Sequence, residues 1–301
     1  MADRPESSRG GAARHGAASR VAGATAEKKT PWAVIGIAGV VLVGVIAFLF
    51  NDPNKEERNF GKAIESADGR SNSSARGQRG AFTLPDSTNV KIGPESSIRI
   101  PPNYNTQVRG VGVVGAAQIT TRPGTGEKPL PFRVRTRNVG IMSTGGVFMV
   151  SAYPEGKEVF VKAVENGLTI HPKADDKAEQ QLAVGAGIAI SDSGTVRPLS
   201  QPESDGAFAW AGGNLNIAAM PLEQTIPLIL QRWYNTNAAL GDKALGSRPV
   251  TATMSLEGSK GALDAINASA GTHIEFRHDT LTLVDGAVAA KPAAPAKKKG
   301  K

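Results

Sequence analysis

Between Trp32 and Phe50 the chain runs for 19 residues without a charge, an amide or a proline. A helix of that length reaches roughly 28 Å at 1.5 Å per residue, close to the roughly 30 Å hydrocarbon core of a bilayer, and it satisfies its own backbone there. The sequence therefore predicts a single transmembrane helix over residues 32–50. A cleavable signal has a shorter apolar core ending in a small-residue site, whereas Phe48-Leu49-Phe50-Asn51-Asp52-Pro53 follows here. Lys28 and Lys29 precede the run and Asp52 follows it. The positive-inside tendency then puts residues 1–31 in the cytoplasm and everything from Asn51 onward on the far side.

The location of charge restricts the function. The formal net charge of +8 looks suited to nucleic acid. Yet residues 1–31 hold six Lys/Arg against three acids, and residues 287–301 hold five lysines, so the body between is neutral. A nucleic-acid-binding fold concentrates its basic charge on the folded body. Both ends instead read as solvated or membrane-facing tails. With no cysteine in the chain, disulfides, thiol nucleophiles and cysteine metal sites are excluded.

Residues 1–31, rich in Gly, Ala, Ser and Arg, lack the apolar side chains needed to offset ordering entropy and read as a disordered arm. Residues 51–79 read as a juxtamembrane linker, with one short helix opening at Pro53. From Gly80 to about residue 200 the apolar period is two. Val90-Lys91-Ile92, Ser97 to Ile100, Phe132 to Arg135, Val147 to Val150, Glu158 to Lys162 and Leu168 to Ile170 each predict a half-buried strand. Turn signals about every ten residues predict an all-β domain over 80–200, a jelly roll or a β-solenoid. Ser200 to Gly206 reads as a polar linker. Residues 207–286 predict a small α+β module. Leu215 and Ile217 mark a strand there, and Leu222, Ile226, Ile229, Leu230 and Trp233 one helical face, with Pro227 in the helix's first turn. Pro249 to Met254 then reads as a strand, Ser259 to Ala270 as a helix stopped by Gly271, and His273 to Phe276 with Leu281 to Val284 as a hairpin.

Three ordered blocks resemble the FecR family of bacterial inner-membrane regulators. They are Leu84-Pro85-Asp86 with Val90, Ile92, Ser97, Ile98 and Pro101; Pro131 to Thr136 followed by Gly145-Gly146-Val147-Phe148-Met149-Val150 and Ala152-Tyr153-Pro154; and Trp210, Gly213, Leu215, Ile217 and Pro221-Leu222 with Arg232-Trp233-Tyr234 beyond. The resemblance covers about residues 80–235, and the stretch 255–284 is similar to the secretin/TonB short domain that follows in that family. It implies a periplasm-facing protein, anchored in the inner membrane, that receives a signal from a TonB-dependent transporter and relays it to a sigma factor. It also implies that Leu222, Ile226, Ile229, Leu230 and Trp233 are a candidate contact for the transporter's signalling domain, with ordinary core packing the competing reading. Leu84, Pro85, Asp86, Gly145, Phe148, Trp210, Gly213 and Pro221 are expected to be structural. The 31-residue arm is shorter than the region that holds the sigma factor in that family, so an envelope scaffold without a sigma partner stays open. Ser87 stands where the family's turn commonly has glycine.

Other chemistry finds no support. Gly110-Val111-Gly112-Val113-Val114-Gly115 matches a dinucleotide fingerprint in letters only, since β-branched Ile119-Thr120-Thr121 follows where a helix must open. His171, His273 and His278 lack ligand spacing. No catalytic residue, cofactor, metal or small-molecule substrate is expected.

Overall fold

In the computed structural model the described residues are 55–127, 129–174, 178–240, 243–277 and 280–284. The predicted span 32–50, the arm 1–31 and the tail 287–301 lie outside them. Among the described residues no helix is long and apolar enough to cross a membrane.

Helix α1 (Lys55–Glu65) and strand β1 (Arg70–Ser73) occupy the stretch read as a linker. Twelve more strands follow: β2 (Gly80–Thr83), β3 (Asn89–Ile92), β4 (Ser97–Ile100), β5 (Gly110–Thr121), β6 (Phe132–Arg135), β7 (Gly140–Ser143), β8 (Gly146–Ala152), β9 (Glu158–Ala163), β10 (Leu168–His171), β11 (Gln180–Leu182), β12 (Gly187–Ser191) and β13 (Val196–Pro198). All thirteen join in one curled sheet that turns on β5. The first half of β5 pairs with β4 and, in parallel, with β6. Its second half pairs with β3 and β8. One half-sheet therefore runs β11-β10-β7-β6-β5-β4-β1 and the other β13-β12-β9-β8-β5-β3-β2.

The crossing point is Gly115. Its φ of +84° lies in the left-handed region that favours glycine, and a Cβ there would collide with the Ser96 side chain. Ser96 Oγ takes up the backbone at this bend by accepting from the Ala116 N–H at 2.9 Å. Period-two alternation turns Val111, Val113, Ala117 and Ile119 of β5 inward. The two halves close on one apolar core, where Phe132 of β6 and Phe148 of β8 approach to 6.4 Å between ring centroids.

The C-terminal module begins earlier than the sequence reading placed it. Residues 201–206, expected as linker, belong to helix α2 (Gln201–Phe208), followed by a 3-10 turn at Ala209–Gly212. Then come β14 (Asn214–Pro221), a helix over residues 222–234 (α3), β15 (Ala238–Ala239), β16 (Pro249–Ser255), α4 (Ser259–Ala270), β17 (His273–Arg277) and β18 (Thr280–Val284). β14 pairs with β16, and β18 with both β17 and β15. Gly271 closes α4 at φ +63°. Helix α3 starts at Leu222, so Pro227 is not in its first turn. It is α-helical over Leu222–Thr225, π-helical over Ile226–Gln231 and α-helical again over Arg232–Tyr234. Proline has no N–H to give and crowds the carbonyl four residues back, and the wider π turn accommodates both demands.

A second apolar core lies between these helices and strands. Ala116 and Met149, from the outer face of the sheet around β5 and β8, belong to it as well.

Candidate functional site

Helix α1 lies on the outer face of the half-sheet that contains β6 and β7. Glu57, Phe60, Gly61 and Ile64 recur at i, i+3, i+4 and i+7, and all four are buried. Glycines under this stripe make close approach possible. A Cβ on Gly110 would come within 2.8 Å of the Phe60 ring, one on Gly112 within 2.7 Å of Ile64, and one on Gly140 within 3.1 Å of Glu57. Two glycines of the apparent dinucleotide fingerprint are thus the floor of a helix seat, and the third is the bend of β5. β5 is a continuous strand, with no helix opening at Gly115.

Charge fixes the helix at both ends. Arg133 Nη1 donates to Glu57 Oε2 at 3.1 Å, and Arg135 Nη1 stands 3.9 Å from Glu57 Oε1. Burial pushes the Glu57 carboxyl above its usual range, against the pull of Arg133, His171 and Arg135. His171 on β10 is buried, and neither ring nitrogen has a hydrogen-bond partner among the described residues. At the other end Arg99 Nη2 donates to the carbonyls of Glu65 (3.4 Å) and Ser66 (2.7 Å), a cation at the helix C-terminus. Clefts of about 210 and 300 Å³ flank the helix, the first lined by Asn59, Asn103 and Arg133 among others, the second by Glu65, Arg99 and Arg135. The helix does not fill its seat.

The Leu84-Pro85-Asp86 block forms the turn between β2 and β3. Leu84 is buried in the first core, Pro85 is exposed, and Asp86 makes contacts that its sequence position did not reveal. Its Oδ1 accepts the Thr88 N–H at 3.0 Å; its Oδ2 accepts the Thr88 hydroxyl at 2.8 Å and Arg109 Nε at 2.7 Å. Arg109 also donates to Thr121 Oγ1 and the Arg122 carbonyl, and its guanidinium lies 5.5 Å from the Phe132 centroid. The Asp86 and Arg109 side chains are only 6% and 5% exposed. Burial works to raise the Asp86 pKa, but the facing Tyr104 hydroxyl, Thr88 and Arg109 together outweigh it and hold it low. Tyr104 Oη faces this carboxylate without good hydrogen-bond geometry, and burial with the nearby charge raises its own pKa.

The helical stripe expected as a partner contact is not free surface. Leu222, Ile226, Ile229 and Leu230 are buried in the second core, 0–6% exposed, and Trp233 packs against them partly buried. An amphipathic helix on a small sheet must bury its apolar face to be stable, and this one does so within its own module. Trp233 has a further role. Its ring lies 6.0 Å from Trp210, and its neighbour Arg232 donates to Glu95 (2.8 Å), pairs with Glu155 (2.7 Å) and stacks 4.1 Å from the Tyr153 ring. The Arg232 carbonyl also accepts the Gly77 N–H at 2.7 Å. Arg232-Trp233 therefore ties the module to the β domain.

Of the residues expected to be structural, Phe148 and Trp210 are buried, and Gly145 and Gly213 have φ of +146° and +87°. Pro221 ends β14 just before α3. His273 opens β17 and His278 lies outside the described residues. Among the described residues no three His, Cys, Asp or Glu side chains come together as a metal site.

Residues 71–168 match the model of the FecR family, described as FecR protein. No curated protein matches the chain. Two crystal structures of a candidate anti-sigma factor from Parabacteroides distasonis ATCC 8503, at 2.50 and 1.65 Å, share the fold with a TM-score of 0.60. Each is 22% identical, with 72% of this chain and 99% of that chain covered. The strands from β1 to β9 around the bend of β5 are thus the part of this chain that matches the FecR family model, at residues 71–168.

Proposed function

We propose that the chain is a single-pass, inner-membrane FecR-type regulator with its β domain and C-terminal module in the periplasm. It receives a signal from a TonB-dependent transporter or another envelope partner and relays it towards sigma-factor-controlled transcription. It carries no catalytic step of its own. The secretin-like character expected of the C-terminal module belongs to the same reading.

The supporting observation is the seat of α1. This helix begins five residues after Phe50, at the end of the apolar run, so a span at 32–50 and the FecR domain communicate through it. An 11-residue helix with Gly61 at its centre is marginal alone, since mid-helix glycine costs about 1 kcal/mol relative to alanine. Docking supplies what is missing. Phe60 and Ile64 belong to neither apolar core, so α1 can leave its seat while both cores stay closed. A partner that alters this seat would change how the anchor is held.

The test is capture from detergent extracts with two baits, the full chain and a chain starting at Asn51. Retention of a sigma factor by the full chain, or of a transporter signalling domain by both, is the expected outcome. Recovery of only other envelope proteins on both baits would favour a scaffold. Release of the full chain from membranes by alkaline carbonate would overturn the anchor itself.

A further inference from the structure

Strand β2 is an open edge beside a cleft that the relay leaves unused. It pairs with β3 alone. The Leu84 N–H donates to the Thr88 carbonyl at 2.8 Å, and alternation along the antiparallel ladder makes Phe82–Val90 and Gly80–Ile92 the hydrogen-bonded pairs. The N–H and C=O groups of Ala81 and Thr83 consequently point away from β3, and both residues are exposed. A row of unpaired backbone groups of this kind is a template for another strand.

At the start of this edge lies a cleft of about 240 Å³ between the β2–β3 hairpin and the Ala209–Gly212 turn, lined by Arg79, Ala81, Lys91 and Trp210 among others. Trp210 is 4% exposed, and its Nε1 has no hydrogen-bond partner among the described residues. A buried indole N–H ordinarily finds an acceptor. Arg79 and Lys91 are exposed, and neither has a carboxylate partner among the described residues. The cleft thus offers two exposed cations beside an apolar wall that includes Trp210, whose buried indole N–H lacks an acceptor. An acceptor that is also negatively charged complements all three.

We propose that the β2 edge and this cleft form a docking site for an extended, carboxylate-bearing peptide segment of another protein. The segment pairs with the backbone of Ala81 and Thr83 and places a carboxylate against Arg79, Lys91 and the Trp210 indole N–H.

The full-length protein in detergent micelles, labelled with 15N at tryptophan, is titrated with a capped octapeptide of alternating threonine and glutamate. The Trp210 indole signal, assigned by its loss in Trp210→Phe, is expected to move downfield and saturate. The Arg79→Glu/Lys91→Glu double variant is expected to weaken binding at least tenfold. Ala81→Pro is expected to weaken it severalfold while sparing the ladder, because the N–H it removes does not face β3. Amide spectra of these surface variants report that the fold is kept. The proposal fails if the Trp210 signal stays fixed up to millimolar peptide, or if a threonine–lysine octapeptide moves it equally. It also fails if neither surface variant weakens binding, or if free acetate at the same concentration reproduces the full shift.

Discussion

Ser87 holds a left-handed backbone, φ +66°, in the turn that Asp86 begins. For an L-residue this conformation costs roughly 1–2 kcal/mol, and replacing it by glycine returns part of that as unfolded-chain entropy. Ser87→Gly is therefore expected to stabilise the protein by about 0.5–1 kcal/mol, read as a higher denaturant midpoint at unchanged slope. The departure from the family's glycine was legible in the sequence, and the dihedral gives it a physical meaning. The Asp86–Arg109 contact was not legible, because the two lie 23 residues apart and meet only through the sheet. The contacts of Asp86 give its carboxylate a depressed folded pKa. Its contribution is present above the unfolded value near 4 and is lost as pH falls through the folded value. Glu57 has the opposite sign. Its raised folded pKa contributes stability below about pH 4.5, and this is lost as pH rises through the folded value. Stability measured against pH should accordingly lose its acid-side slope in Asp86→Asn, whereas Glu57→Gln should flatten the decline above pH 4.5. An unchanged profile in either variant would assign that slope to other groups.

Elements were read unevenly, and the reasons are local. β4 and β6 fall on the predicted stretches because one alternating face meets one core. α2 forms where the sequence reads as a polar linker, although Ser200-Gln201-Pro202-Glu203 carries the capping signature. Glu203 accepts from both the Ser200 N–H (2.9 Å) and the Ser200 hydroxyl (2.8 Å), and polar composition concealed the helix behind them. Arg197 joins the same carboxylate at 2.8 Å, and that pairing first, with Ser200, brings the Glu203 pKa down to about 2. Ser200→Ala should cost about 1 kcal/mol in the stability of this helix, measured by hydrogen exchange over residues 201–208. α1 shows the reverse problem. Its stripe is visible in the sequence, but the glycines that receive it lie at least 45 residues away and resemble a nucleotide motif. Gly112→Val would set new atoms against Ile64, so exchange of amides 55–65 should rise at least tenfold while those of β8 and β9 hold their protection. Equal loss of protection in β8 would mean that α1 is integral to the sheet rather than a separable helix.

At the scale of the molecule, the β domain and the C-terminal module share part of a core, polar contacts at α2 (Arg197–Glu203 and Lys162–Ser204) and a polar tie at Arg232. The tie is legible as a motif, Arg232-Trp233-Tyr234, but its partners Glu95, Glu155 and Tyr153 are more than 75 residues away and no local period points to them. Both acids are at least one-third exposed or close to it, at 32% and 47%, so solvent screening limits each pair. With the aromatic stacking included, Arg232→Ala should cost about 2 kcal/mol. Its effect on cooperativity is more diagnostic than its size. Ala116 and Met149, with partly buried Tyr153 and Phe160, give the module its apolar seat on the sheet, and loss of the Arg232 tie should let the two parts unfold separately. Calorimetry of the wild type is expected to show one transition, and Arg232→Ala two, the lower one removing the helical signal of α3 and α4 first. Arg232→Lys keeps the charge but not the paired geometry with both acids, so it should lie between them. A single transition retained in Arg232→Ala would transfer the coupling to the apolar seat, and Met149→Ala would then be the variant that splits the curve.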